Sequence, residues 1–122
     1  MKITPKHYRI LFYTYTIIVL LLAVLPLSNS VVVINNIYVI SIRMDYILHF
    51  VIFMPWVFLL RMVSNWSFKT VPVKTLALIL AGLLFASSTE LVQYFLAYRA
   101  FNINDLIANN LGVLLGAVVF LR

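Results

Sequence analysis

The sequence contains no cysteine and very few acidic residues, and each of these scarcities excludes a class of protein. The 122 residues include three Asp or Glu, no Cys and three Gly. Without cysteine, the chain can form neither a disulfide framework nor a cysteine-based zinc site. Charged residues make up 10% of the chain, whereas a soluble domain carries roughly 25%. The chain therefore lacks the polar surface that a soluble globular domain needs.

Apolar residues dominate the rest of the composition. Hydrophobic side chains make up 65% of the chain, and the mean hydropathy is +1.10, which excludes intrinsic disorder. An apolar run of about 18 residues or more with few charges is typical of a membrane-spanning helix. Four such runs predict an all-α membrane protein, a four-helix bundle in a single domain, with spans at about 8–27, 46–63, 75–97 and 105–121.

The first apolar run also resembles a secretory signal peptide, because Lys2, Lys6 and Arg9 precede or begin it. The run is longer than the usual apolar region of a signal peptide. Residues 26–30, which follow it, lack the small-residue pattern of a cleavage site. We therefore interpret the first run as a retained membrane anchor.

The basic residues predict the orientation, since Lys and Arg favour cytoplasmic loops. With a cytoplasmic N-terminus, only Arg43 and Arg99 of the nine basic residues lie outside, and the other seven lie inside. This predicts a multi-pass protein of the cytoplasmic membrane with both termini in the cytoplasm. It also explains the net charge of +6 without a nucleic-acid partner.

The outer connection between the first two spans, residues 28–44, is itself apolar. It fits either a short hairpin around Asn35 and Asn36 or a segment that lies in the membrane interface. Its alternation of apolar and polar residues is too weak to decide between the two.

The three acidic residues all fall in the outer half of the predicted bundle. Asp45 and Asp105 begin the second and fourth helices, and Glu90 lies in the outer half of the third. On each helix a second polar residue follows after three or four positions, on the same face. Charged groups inside a membrane cost about 2.5–3.5 kcal/mol each on insertion scales, so they normally face the bundle interior and pair. We therefore predict an outward-opening, ligand-binding polar pocket formed by Asp45, His49, Glu90, Gln93, Arg99, Asp105 and Asn109.

Structural roles are the alternative for the same residues. Asp45 and Asp105 stand at helix starts, where Asp is a favoured N-cap. His49 could hydrogen-bond a neighbouring helix. Glu90 lies too deep to be a cap, and an ion pair with Arg99 is its best structural explanation.

Small residues on the fourth helix predict close helix packing. Ala108, Gly112 and Gly116 recur at every fourth position, the spacing that lets membrane helices approach closely. We expect the third and fourth helices to form a tight antiparallel hairpin, which would bring Glu90 near Asp105.

Three motifs resemble the VanZ-like family. Residues 44–50, MDYILHF, resemble its D-K-x-x-H-F opening, and residues 89–93, TELVQ, resemble its E-x-x-Q motif. Residues 98–112, YRAFNINDLIANNLG, resemble G-R-x-F-D-x-x-D-x-x-A-N-x-x-G. The motifs occur in the family's order over the second, third and fourth spans.

The chain departs from these motifs at three positions: Tyr46 replaces Lys, Tyr98 replaces Gly, and Asn102 replaces Asp. The family takes its name from an accessory protein of teicoplanin resistance, and its members are small membrane proteins of the cell envelope. The resemblance therefore implies a role in the envelope, on the side where glycopeptides act.

The leading hypothesis is that the pocket binds the headgroup of a membrane lipid, a lipid-linked cell-wall glycan or a lipoglycopeptide, with a link to teicoplanin resistance. One alternative is an intramembrane enzyme, with His49 as base or nucleophile and Asp45 or Glu90 as further catalytic candidates. A metal held by His49 and acids is a variant of that alternative. No metal-binding motif is present, so we expect no cofactor. The other alternative is a small proton-coupled transporter.

Overall fold

The computed structural model describes residues 4–26, 34, 36–64 and 72–121. Most of them lie in four helices: α1 (Pro5–Val24), α2 (Met44–Ser64), α3 (Pro72–Tyr94) and α4 (Ile103–Phe120). Each helix is long and apolar enough to span a membrane, which confirms the predicted all-α architecture with four spans. The predicted inner loop around Lys69 lies largely outside the described residues.

The helices alternate in direction along the chain. Tyr98, just after α3, donates a hydrogen bond to the carbonyl oxygen of Val24 at the end of α1, over 2.8 Å. At the opposite end of the bundle, Arg61 of α2 donates to the carbonyl oxygen of Phe120 in α4. Thus α1 and α3 end together, and α2 and α4 end together. We call the end of the bundle where α1 ends and α2 begins the site end.

The middle of the bundle has an aromatic core. Trp56 stacks on Phe85 with ring centroids 4.8 Å apart, and the tilted ring of Phe12 lies 5.5 Å from the Trp56 ring. The indole N–H of Trp56 donates to the hydroxyl of Thr16 over 3.2 Å, which satisfies the one polar atom of the ring. Large apolar side chains such as Leu84 remain exposed on the outside of the helices, as expected for a surface that faces lipid.

The closest helix contact is between α2 and α4. A Cβ atom at Gly112 would overlap the backbone carbonyl of Phe50, and one at Gly116 would overlap that of Met54. Gly112 and Gly116 therefore do mediate close packing, but with α2 and not with the third helix as predicted. The predicted antiparallel pairing of α3 with α4 is also present, and it brings Glu90 to Asn109. The spacing of the small residues indicates which face of α4 can approach a neighbour closely, and it carries no information about which helix that neighbour is.

A short hairpin precedes α2. Its strands, β1 (Tyr38–Val39) and β2 (Ile42–Arg43), pair antiparallel. Ile40 and Ser41 form the turn with φ of 50° and 67°, the left-handed conformation that two-residue hairpin turns require. The outer connection therefore contains a hairpin, which was one of the two predicted alternatives. Its turn is at Ile40 and Ser41, whereas the prediction placed it around Asn35 and Asn36. The strand end places Arg43 directly before α2.

Candidate functional site

A cavity of about 560 Å³ opens among the helices at the site end. Its size falls within the range of about 300–1,000 Å³ that is usual for ligand pockets. One part of the wall is apolar and comes from α1 and α2, whereas the other is polar. The apolar part includes Val19, Leu22, Ala23, Leu48, Ile52 and Phe53, and the polar part includes Arg43, Asp45, His49, Thr89, Glu90, Gln93, Arg99, Asn102 and Asp105.

Four polar side chains from three helices contact one another beside this cavity, and we call them the His49 cluster: His49, Glu90, Asp105 and Asn109. The first three line the cavity, whereas Asn109 is fully buried and does not. His49 Nδ1 lies 2.9 Å from Asn109 Oδ1 and 3.7 Å from Glu90 Oε1. On the other side of the ring, His49 Nε2 lies 3.7 Å from Asp105 Oδ2. Asn109 Nδ2 donates to Glu90 Oε1 over 3.0 Å. The imidazole is therefore flanked by two carboxylates, and Asn109 links it to one of them.

The cluster is withdrawn from the surface of the protein. Glu90 and Asn109 are 0% exposed, and Asp105 is 9% exposed. Glu90 Oε2 and Asp105 Oδ1 are buried and have no hydrogen-bond partner among the described residues. A buried carboxylate without full pairing is costly, so these oxygens need a positive charge or a donor that the cavity can admit.

Asp45 lies at the same cavity but belongs to a second group. Arg43 donates to Asp45 Oδ2 over 2.6 Å and to the Tyr46 hydroxyl over 2.9 Å, and its guanidinium lies 4.6 Å from the centre of the Tyr46 ring. Burial acts to lower the pKa of the Arg43 guanidinium, and the Asp45 carboxylate offsets this, so the pKa lies above its ordinary value. His49 has its partners on α3 and α4, and Asp45 has its partner in the hairpin.

Arg99 contacts backbone rather than an acid. Its guanidinium donates to the carbonyl oxygens of Leu22 and Leu25, each over 2.7 Å. These carbonyls belong to the end of α1, where a helix leaves acceptors unsatisfied and favours a cation. The predicted ion pair between Glu90 and Arg99 was therefore wrong. Arg99 still lines the cavity, and its Nε has no hydrogen-bond partner in the described part of the chain.

The fourth helix is capped by a residue other than the predicted one. Asn102 is the N-cap, and its side chain accepts a hydrogen bond from the backbone N–H of Asn104 over 3.0 Å. Asp105 is thus not the cap, and its carboxylate reaches His49 instead. Asn102, which the motif comparison treated only as a departure, also lines the cavity.

The structure thus divides the predicted pocket residues into two sets. His49, Glu90, Asp105 and Asn109 contact one another, as described above. Asp45, Gln93 and Arg99 line the same cavity, and Gln93 is buried there at 7% exposure. Sequence reasoning gave Arg43 no part in the pocket, although its position two residues before Asp45 was a signal for the pairing.

Four apolar spans and a polar cavity confined to one end define a multi-pass membrane protein. The chain belongs to the VanZ/LLP1 family, whose family model matches residues 12–122. The match includes the whole His49 cluster and confirms the resemblance read from the three motifs. No curated protein and no solved structure matches the chain.

Proposed function

We propose that this protein is a binding protein of the cytoplasmic membrane that takes up, from the outer side, the headgroup of a lipid, a lipid-linked glycan or a lipoglycopeptide. The observation that carries the proposal is the composition of the cavity wall. An apolar surface from α1 and α2 faces two arginines and the His49 cluster within about 560 Å³. An amphipathic molecule with an anionic group matches both parts of this wall.

The distribution of basic residues supports the outward orientation. At the site end the described basic residues are Arg43 and Arg99. Lys6 and Arg9 at the start of α1, and Arg61 near the end of α2, lie at the opposite end. Because basic residues concentrate on the cytoplasmic side, the site end faces outward and both termini face inward.

The arginines supply the expected contact to the anionic group. The guanidinium groups of Arg43 and Arg99 both line the cavity, and the Nε of each is buried without a hydrogen-bond partner among the described residues. Guanidinium binds phosphate and carboxylate through parallel charge-assisted hydrogen bonds. His49, Glu90 and Asp105 also line the cavity, and they offer an imidazole and carboxylate oxygens for hydroxyl or amide groups of the ligand.

A binding titration in lipid nanodiscs tests this proposal. The probe is a short-chain lipid diphosphate, with a zwitterionic lipid of the same chain length as the comparison. The Arg99→Gln variant should bind the diphosphate about tenfold or more weakly, because a charge-assisted hydrogen bond contributes about 1.5–3 kcal/mol. Arg9→Gln removes an exposed arginine at the opposite end and should leave binding unchanged. Equal binding of the two lipids by the wild type contradicts the proposal.

The family suggests the biological consequence of such binding. We propose that expression of the protein lowers susceptibility to teicoplanin by engaging a lipid-anchored target or the drug's lipid tail outside the membrane. The assay compares teicoplanin susceptibility of cells that express the wild type or Arg99→Gln at matched protein levels. Unchanged susceptibility with the wild type contradicts the resistance role and leaves the binding assay as a separate test.

A second candidate function is an intramembrane enzyme that acts on a lipid-linked substrate. It is supported by the position of His49, with one ring nitrogen facing Glu90 and the other facing Asp105. A histidine held between carboxylates is a typical general base. Turnover of a labelled lipid-linked precursor by the wild type, lost in His49→Gln, would establish it. A proton-coupled transporter has less support, because the core between the two ends, around Phe53 and Val57, is apolar.

A further inference from the structure

We propose that His49, Glu90 and Asp105 bind a divalent transition-metal ion, with zinc as the best fit, at the polar end of the cavity. The donor atoms would come from three different helices, α2, α3 and α4. The inference goes beyond headgroup binding and does not depend on it, since it concerns the metal alone.

The donor atoms are already close enough to share one ion. One potential ligand atom from each of the three residues lies within 4.8 Å of the others. His49 Nε2 and Asp105 Oδ2 are 3.7 Å apart. Zinc binds nitrogen and oxygen at about 2.0–2.2 Å, so two ligand atoms on a tetrahedral ion lie about 3.4 Å apart. The His49–Asp105 pair needs a shift of a few tenths of an ångström to reach this spacing, and a pair at the 4.8 Å limit would need about 1.4 Å, which side-chain rotation can supply.

Asn109 holds the histidine in the form that binds metal. Because its Nδ2 donates to Glu90 Oε1, its Oδ1 is the atom that faces His49 Nδ1 at 2.9 Å. Nδ1 must then carry the proton, and Nε2 presents its lone pair toward the Asp105 carboxylate. A lone pair and a carboxylate oxygen repel each other unless a proton or a metal ion lies between them, and the proposed metal ion would fill this gap. A second-layer hydrogen bond of this kind is what orients histidine ligands in known metal sites.

The charge of the cluster also calls for a cation. Arg43 pairs with Asp45, and Arg99 contacts the backbone of α1. Within the described residues, no Lys or Arg lies within ion-pair distance of Glu90 or Asp105, although the charge of Arg43 acts on Asp105 from a greater distance. Each of these two carboxylates also keeps one buried oxygen without a hydrogen-bond partner among the described residues. A divalent ion balances two carboxylates, and it supplies partners for oxygens that are otherwise unsatisfied.

The ligand set indicates the metal and leaves a position open. One imidazole and two carboxylates suit zinc and other transition metals, whereas calcium and magnesium prefer oxygen ligands and higher coordination numbers. Three protein ligands leave a fourth position on a zinc ion, as in catalytic rather than structural sites. Because His49, Glu90 and Asp105 all line the cavity, water or an anionic headgroup in the cavity could take that position.

A metal titration of the purified protein tests the inference. The chain has no cysteine and two histidines, so background binding is low when a tag without histidine is used. Protein stripped with chelator should bind one Zn²⁺ per chain by calorimetry and should gain thermal stability. His49→Gln should lose at least about tenfold in affinity, and Asn109→Ala about 10- to 100-fold. His7→Gln changes the exposed histidine at the far end and should bind zinc like the wild type.

A second measurement keeps the inference testable if the His49 variants fail to fold. Co²⁺ bound to the wild type should give the intense visible absorption of a four-coordinate site, and Zn²⁺ should displace it while Ca²⁺ should not. Absence of zinc binding by the wild type overturns the inference, as does an equal affinity in folded His49→Gln. Either result would leave the lipid titration unaffected, because that assay reports on a different probe.

Discussion

Asn109 donates a hydrogen bond from its side-chain amide to Glu90 Oε1 over 3.0 Å, and both residues are fully buried. The contact joins α3 to α4 at the polar end of the cavity. It fixes the direction of the Asn109 amide, and that direction fixes which nitrogen of His49 carries a proton. This contact between α3 and α4 therefore determines the tautomer of His49 on α2.

Loss of this contact should destabilise the protein. Asn109→Ala leaves the Glu90 carboxylate buried without its donor, which costs about 1–3 kcal/mol. Thermal unfolding of the protein in detergent should show a lower Tm than that of the wild type. Asn104→Ala is the matched control, because Asn104 is an asparagine of the same helix whose amide makes an exposed hydrogen bond, to the Tyr46 hydroxyl, where water can replace the partner. Equal Tm values for the two variants would show that the Asn109–Glu90 contact contributes nothing.

The two glycines of α4 should tolerate a methyl group less well than Gly82 of α3. At Gly112 and Gly116 a Cβ meets backbone carbonyls of α2, whereas at Gly82 it meets the side chains of Val113 and Val57. Side chains can rotate away, but a helix backbone cannot, so overpacking of about 1–3 kcal/mol is expected at the first two positions. Thermal unfolding should rank Gly112→Ala and Gly116→Ala as more damaging than Gly82→Ala. The reverse order would contradict the α2–α4 packing.

The proposed orientation can be tested without background labelling, because the natural chain has no cysteine. Ile40 is 93% exposed in the hairpin at the site end, and Thr4 is exposed at the start of α1. In intact cells, a membrane-impermeant maleimide should label Ile40→Cys, and it should label Thr4→Cys only after the membrane is permeabilised. Labelling of Thr4→Cys alone in intact cells would mean the opposite orientation.

The sequence predicts the fold class well because its signals are local. Each span is a continuous apolar run, and the depth of Glu90 below the end of its helix already implies a partner. The rotation of each helix about its axis depends on its neighbours and cannot be derived from its own residues. The sequence therefore suggested Arg99 as the partner of Glu90, whereas Arg99 contacts α1 and Asn109 contacts Glu90. The same limit explains the glycines, whose spacing marks one face of α4 without identifying α2 as its neighbour.

Parts of the cavity could not be predicted because they come from connections between helices. Arg43 ends the hairpin directly before α2, and its spacing of two residues from Asp45 signals their pairing but not a place in the cavity. Asn102 caps α4, which leaves Asp105 available to His49. The spacing of polar residues along the helices specifies neither the hairpin before α2 nor the Asn102 cap of α4.

The central claim is that the cavity at the site end is the binding site for an anionic amphipathic ligand. Ala23 lines its apolar wall at 6% exposure, so Ala23→Phe should fill part of the cavity while leaving the arginines and the His49 cluster in place. Leu84→Phe, on the exposed side of α3, is the control.

The most direct measurement is the dissociation constant of the short-chain lipid diphosphate for these two variants in nanodiscs. We predict that Ala23→Phe folds and binds at least about tenfold more weakly, a loss of about 1.4 kcal/mol, while Leu84→Phe binds like the wild type. Unchanged binding by folded Ala23→Phe would place the ligand outside the cavity and contradict the account.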